Sequence, residues 1–395
     1  MYSRKHGNIT AASVSLMFKI KEIEESETEL ENLMPGNGLS TTRQVAESSF
    51  HPETCTSTGG LIAIMLSRFR MSVNEAITQY KDLGGKIFGS PRLMHYRRLP
   101  PLFIPRDKFP ANNLIKAVNE VCDKHGYAVR AECSFSTVAL AINHSGCKTL
   151  VTALAAKREV AIQQTKVIFR SYDILNSKKP ENTSSWIPGP ACGLPVWMIA
   201  RAITAAPTYF KPINFPDSEG NQWDFKDGGL QANNPAKQGF TEVRHATGKD
   251  PDLFVSIGTC HQQKSFFTRK AGRCMDTWNA VMTYLFQGGD PNEVHHDMVD
   301  NLGRTEGENY WRFEDSVSAK RGPRWKKIKM DQWKTGTNST LDTMDELIDE
   351  YLKEEPVNER LNSCACALVK QRRLRTVDLK KWSEYAIHDW RYDKS

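Results

Sequence analysis

The sequence predicts a three-layer α/β fold with a mostly parallel central sheet and a helical C-terminal extension. Three observations carry that expectation. Strand-like apolar runs such as Thr149 to Ala155 and Lys166 to Phe169 are interleaved with helix-period segments, the pattern of a sheet covered on both faces. Cys55-Thr56-Ser57-Thr58-Gly59-Gly60 leads straight into the apolar stretch Leu61 to Leu66, the form of a strand-turn-helix junction. Beyond the strand-like Leu253 to Ile257 the chain turns polar and helical, so that part reads as an extension.

In chain order, residues 12 to 33 read as an amphipathic helix through Val14, Met17, Phe18, Ile20 and Ile23, ending near Pro35-Gly36. Ala46 to Thr54 is polar and contains Pro52, which cannot donate to a ladder, so it is a poor candidate for a buried strand entering the Ser57 turn. Ser72-Val73-Asn74-Glu75 is a capping box, and Val73, Ala76, Ile77, Tyr80 and Leu83 follow at helical spacing. Asn112 or Asn113 opens another helix through Leu114, Ile115, Val118, Val121 and Cys122, stopped by Gly126. Pro195 to Ala206 reads as a helix closed by Pro207. Residues 301 to 335 look like a loop-rich connection. Leu341, Met344, Leu347, Ile348, Tyr351 and Leu352 mark a helix, and Pro356 begins another through Val357, Leu361 and Leu368.

Composition narrows the function classes. With 395 residues and 39% hydrophobic content the chain can bury a large core. A net charge of +7, spread along the chain, favours anionic surfaces without indicating a nucleic-acid binder. No apolar run reaches the roughly 18 residues that span a bilayer, so a cytoplasmic protein with peripheral membrane contact is expected. Residues 9 to 18 follow Arg4 and Lys5 like a signal peptide, but Lys19 and Lys21 cut the run short; a helix is expected, and secretion is not. The sequons at Asn8, Asn143, Asn182 and Asn338 do not alter that. Nine scattered cysteines lack metal-ligand spacing, and Cys364-Ala365-Cys366 has no second pair or nearby histidine, so free thiols are expected and neither metal nor cofactor. Lys320 to Lys329 mixes cations with Trp325 and reads either as a solvated loop or as a stretch that docks on an anionic membrane.

Two stretches carry chemistry. Ser57, two residues ahead of Gly59 and Gly60, is placed as the nucleophile of an elbow, in which small residues relieve a crowded, strained turn. Cys55 stands where G-x-S-x-G has its first glycine, and an ordinary helix N-cap is the competing reading. The second stretch is Asp227-Gly228-Gly229-Leu230-Gln231-Ala232-Asn233-Asn234-Pro235, preceded by Trp223-Asp224-Phe225-Lys226. Here Asp227 is either a catalytic carboxylate or an Asx-type turn into Gly228-Gly229. Together with Phe169-Arg170-Ser171-Tyr172, Ala202 to Pro212 and Phe254 to Thr259, these stretches resemble the patatin-like phospholipases of fungal type, with the motifs in the family's order from about Ser57 to Cys260.

The resemblance implies a patatin-like domain over residues 1–260 and an extension over 261–395. It implies a serine lipid acyl hydrolase, phospholipase A2-like or galactolipase-like, acting on membrane lipid without a cofactor. Ser57 would be the nucleophile, Asp227 its base, and Thr58 the source of an oxyanion N–H within the elbow Thr58-Gly59-Gly60. The order Ser57, Asp227, His261 also fits an α/β-hydrolase triad, with His261 as the alternative base. The family's D-G-G-G-x-[RK]-G loop, whose N–H groups form the oxyanion hole, is represented only by Gly7. A catalytically inactive relative retained for lipid binding, or a truncated gene model, therefore stands as the other expectation.

Overall fold

A computed structural model of the chain describes residues 53–89, 96–99, 102–105, 107–125, 138–141, 148–158, 164–172, 193–207, 209–217, 220–230, 234–258, 291–315, 320–325, 328 and 340–376. The helix expected over 12–33, Gly7, His261, the four sequons and five of the cysteines (Cys133, Cys147, Cys192, Cys260 and Cys274) lie outside them.

β2 (Tyr96–Leu99) and β3 (Leu102–Pro105) form a separate two-stranded antiparallel sheet, and the larger sheet is built on β4 (Thr149–Lys157), whose first eight residues are buried. On one side β4 pairs along its length with β5 (Gln164–Arg170); on the other it pairs first with β1 (Glu53–Thr56) and then with β7 (Gln222–Asp227), which pairs with β6 (Ile213–Pro216). The α/β class expected from the sequence is what is found, with mixed pairing in this sheet: β1–β4 is parallel, and β4–β5, β4–β7 and β6–β7 are antiparallel. The β4–β5 geometry follows from chain length, since residues 158–163 are too few for the dozen or so that a parallel crossover needs.

Alternation along the strands sorts the layers. Val151, Ala153, Val167, Phe169, Trp223 and Phe225 face a core shared with α1 (Ser57–Ala63), α2 (Val73–Phe88), α3 (Ala111–His125) and α4 (Val196–Ile203). The other face meets α5 (Ala236–Thr247): Gly239 lies so close to Thr54 that a Cβ would overlap its side chain. Arg170 on β5 reaches the same helix, its guanidinium forked onto Glu242 (Nη2–Oε2 2.7 Å), and Tyr172 donates to Glu242 Oε1 at 3.0 Å. All three side chains are buried, so the ion pair is satisfied internally, as burial requires. The capping box at Ser72 and Glu75 forms as expected and sets the start of α2.

A second core is built from β8 (Phe254–Ile257), β9 (Tyr310–Phe313), α7 (Gly322–Trp325), α8 (Thr340–Leu352) and α9 (Glu355–Thr376). The sequence reading placed a loop-rich connection over 301–335, yet Tyr310 to Phe313 forms a fully buried strand parallel to β8. Its aromatic residues favour a pleated, packed surface, and the charge that disguised it, Arg312, is neutralised internally by Glu314 at 3.0 Å and donates to Ser256 Oγ at 2.8 Å. α6 (Pro291–Asp300) packs against α5 through Met298 and Phe240, beside Tyr310.

In the basic stretch from Lys320, Arg321 and Trp325 are buried rather than solvated, while Lys326, Lys327 and Lys329 lie outside the described residues. Arg321 forks onto Asp315 at 2.7 and 2.8 Å and reaches Glu354 at 2.7 Å; Trp325 is buried and donates its indole N–H to Asp315 at 2.7 Å. Cys364 is buried and Cys366 exposed, because two residues along a helix point to opposite sides. Among the described residues no helix is long and apolar enough to cross a membrane.

Candidate active site

β1 ends at Thr56 in extended geometry (φ −124°, ψ 154°), and the chain turns into α1 through Ser57 at φ 57°. A left-handed serine costs on the order of 1–3 kcal/mol and persists only where its surroundings over-determine it. The surroundings here are tight: a Cβ on Gly60 would come within 2.6 Å of Ile203 Cδ1 and 3.2 Å of Val151 Cγ1, so α1 sits against β4 and α4 as closely as glycine allows. Thr56 makes no side-chain cap, so the N-cap reading of this stretch is not what is found. Cys55 is an ordinary β1 residue, half-buried and paired in register with Val151. The left-handed conformation falls on Ser57, which is why the missing glycine of the elbow pattern is tolerated at position 55. β1 itself corrects the sequence reading, which found no good strand ahead of Ser57: only four residues pair, and pairing with β4 does not demand an apolar run of that length.

Asp227 ends β7 opposite Ala153, its side chain on the face that carries α1. Ser57 Oγ donates to Asp227 Oδ2 at 2.6 Å, with both groups buried. The other carboxylate oxygen accepts the Gly229 N–H at 2.8 Å, and Asp227 N–H donates to the Ala205 carbonyl at 3.1 Å. The turn reading is realised in this carboxylate: one oxygen makes the Asx-type turn while the other accepts from the serine hydroxyl. Gly228 completes the arrangement, because a Cβ there would overlap the Thr152 carbonyl of β4. Gly228 and Leu230 are buried in a short 3₁₀ turn.

Residues 231–233 and His261 lie outside the described residues, so the triad alternative has no geometry here. No cluster of three or more His, Cys, Asp or Glu side chains is gathered to hold a metal ion among the described residues.

The chain is 24% identical over 330 residues to calcium-independent phospholipase A2-gamma of Homo sapiens, an alignment covering 82% of this chain and 36% of the relative. Its rat counterpart is 24% identical over 265 residues, covering 66% and 30% of the two chains. The similarity is distant. The chain spans about a third of the length of the curated relatives it matches, and no protein-family model matches it.

Sequence reasoning missed one partner of the elbow. Tyr80, read only as an apolar position of α2, places its hydroxyl in a hydrogen bond with the Thr58 side chain. Burial pushes the phenol up to about 12, so it stays protonated throughout the physiological range. Helical periodicity could identify Tyr80 as inward-facing, but its partner lies on another element.

Proposed function

We propose that this chain is a lipid acyl hydrolase of the patatin-like type, phospholipase A2-like or galactolipase-like, working through a Ser57–Asp227 dyad. The observation that carries the reading is the left-handed Ser57 with its Oγ 2.6 Å from the Asp227 carboxylate, both buried at a strand-to-helix turn. A serine hydroxyl is a weak nucleophile until a base takes its proton, and Asp227 is within direct reach to do so. Ser57 Oγ attacks the ester carbonyl carbon as its proton passes to Asp227. The tetrahedral intermediate collapses to an acyl-serine, the alcohol leaves with that proton, and water deprotonated by Asp227 releases the fatty acid and regenerates Ser57. The Thr58 N–H is the oxyanion donor that the elbow supplies. The distant phospholipase relatives support lipid as the substrate class. Residues 1–260 form the hydrolase unit and 261–395 its extension, in a cytoplasmic protein that meets membranes peripherally.

The test is release of fatty acid from phosphatidylcholine vesicles and of p-nitrophenol from its butyrate ester. Ser57→Ala and Asp227→Asn are each expected to lower whatever turnover the chain has by at least about a thousandfold, with unchanged melting behaviour. Turnover that survives Ser57→Ala overturns the reading.

A further inference from the structure

Thr58 follows the nucleophile, and its side chain is held from a direction that Ser57 and Asp227 do not explain. Tyr80 lies on α2, whose start is set by the Ser72–Glu75 capping box, and its ring is buried at 3% exposure. Its hydroxyl bonds that of Thr58, itself 6% exposed. On another side of the same helical turn, Gly60 is pressed against Val151 and Ile203. The first turn of α1 is thus gripped by α2 through a polar bond and by the sheet and α4 through close contact. A phenylalanine and a valine would fill the same space without taking two hydroxyls out of water, so what the polar pair adds is direction rather than burial.

The geometry points to Tyr80 as a positioning residue for the oxyanion: by fixing Thr58 it holds in place the backbone N–H that follows the nucleophile. This rests on the reading of Ser57 as the nucleophile. In acyl transfer a donor is effective when it is already aimed where charge develops, so a small loosening of Thr58 costs rate and leaves ground-state binding alone.

The experiment measures kcat and KM on p-nitrophenyl butyrate, and the rate at which a fluorophosphonate labels Ser57. In that labelling Ser57 Oγ bonds phosphorus, fluoride leaves and the serine proton passes to Asp227. Tyr80→Phe and Thr58→Val are each expected to lower kcat and labelling about three- to tenfold, the span of one neutral hydrogen bond, with KM unchanged. The double variant should be no slower than either single one, and Thr58→Ser, which keeps the hydroxyl, should be slowed less than Thr58→Val. Wild-type rates in both single variants, with Ser57 still labelled and only the melting temperature lowered, overturn the positioning role and leave the nucleophile assignment standing. A double variant slowed by the product of the single effects also overturns it, because the two hydroxyls would then act independently. If Tyr80→Phe fails to fold, Thr58→Val and Thr58→Ser read the same bond from its other end. Failure of the folded wild-type chain to label at Ser57 overturns both readings.

Discussion

At the scale of single residues, the site depends on glycines placed where a side chain would collide, Gly60 in α1 and Gly228 beside Asp227. Gly228 passes over the Thr152 carbonyl of β4, and that crossing sets where the Asp227 carboxylate emerges beside Ser57. Gly228→Ala must push β7 away from β4 or rotate the Asp227 peptide. Overpacking of this kind costs about 1–3 kcal/mol, and here it also lengthens a 2.6 Å contact. The expected outcome is a melting temperature lowered by several degrees together with loss of fluorophosphonate labelling at Ser57. Labelling at the wild-type rate in a stably folded Gly228→Ala chain would mean that the dyad does not depend on this crossing. Gly229→Ala tests a different contact, since its N–H holds the remaining carboxylate oxygen and a Cβ leaves that bond intact; labelling there should persist.

At the scale of elements, α5 is tied to β5 by the buried Arg170–Glu242 pair with Tyr172 as a third member, and it carries Gly239 against Thr54 of β1, the strand that delivers Ser57. Glu242→Gln leaves a buried guanidinium without its counter-charge, and breaking such a pair from one side costs about 3–5 kcal/mol. Urea unfolding monitored by tryptophan fluorescence should show a loss of that size; a change under about 1 kcal/mol would mean that the pair is offset by water in solution. These elements also show what the sequence could and could not reveal. Strands β4 and β5 and helices α2, α4, α8 and α9 were legible because their apolar periods are long enough to be read locally. Ser57 and Asp227 were legible because glycine turns mark them. β1 and β9 were not, since β1 is four residues of mostly polar type and β9 hides Arg312, and what makes each a strand is a partner far along the chain. The Tyr80–Thr58 bond and the Arg170–Glu242 pair were invisible for the same reason. That Arg321 and Arg324 of the basic stretch are paired was not legible either, because their acidic partners Asp315, Glu350 and Glu354 are not all sequence neighbours.

At the scale of the whole molecule, the question is whether an assembled dyad is enough. On the proposed reading Ser57 and Asp227 generate the nucleophile, but the tetrahedral oxyanion needs donors, and in the sequence as it stands Gly7 is all that resembles the glycine-rich loop supplying them in patatin-like enzymes. Thr58 offers one backbone N–H. Without the two donors such a loop supplies, at about 2.7 to 4 kcal/mol each, the chemical step would be slower by several orders of magnitude. The chain of residues 1–395 should therefore hydrolyse p-nitrophenyl esters and phospholipid only marginally while still labelling slowly at Ser57. Grafting a strand and loop of sequence D-G-G-G-x-R-G ahead of residue 12 should restore turnover, and Ser57→Ala in the grafted chain should remove it again. A graft that folds without raising the rate would favour a lipid-binding relative in which the dyad persists without its reaction. Turnover of the ungrafted chain at an ordinary enzymatic rate, roughly 1 to 1000 per second, abolished by Ser57→Ala, would place the missing donors on another segment of the chain.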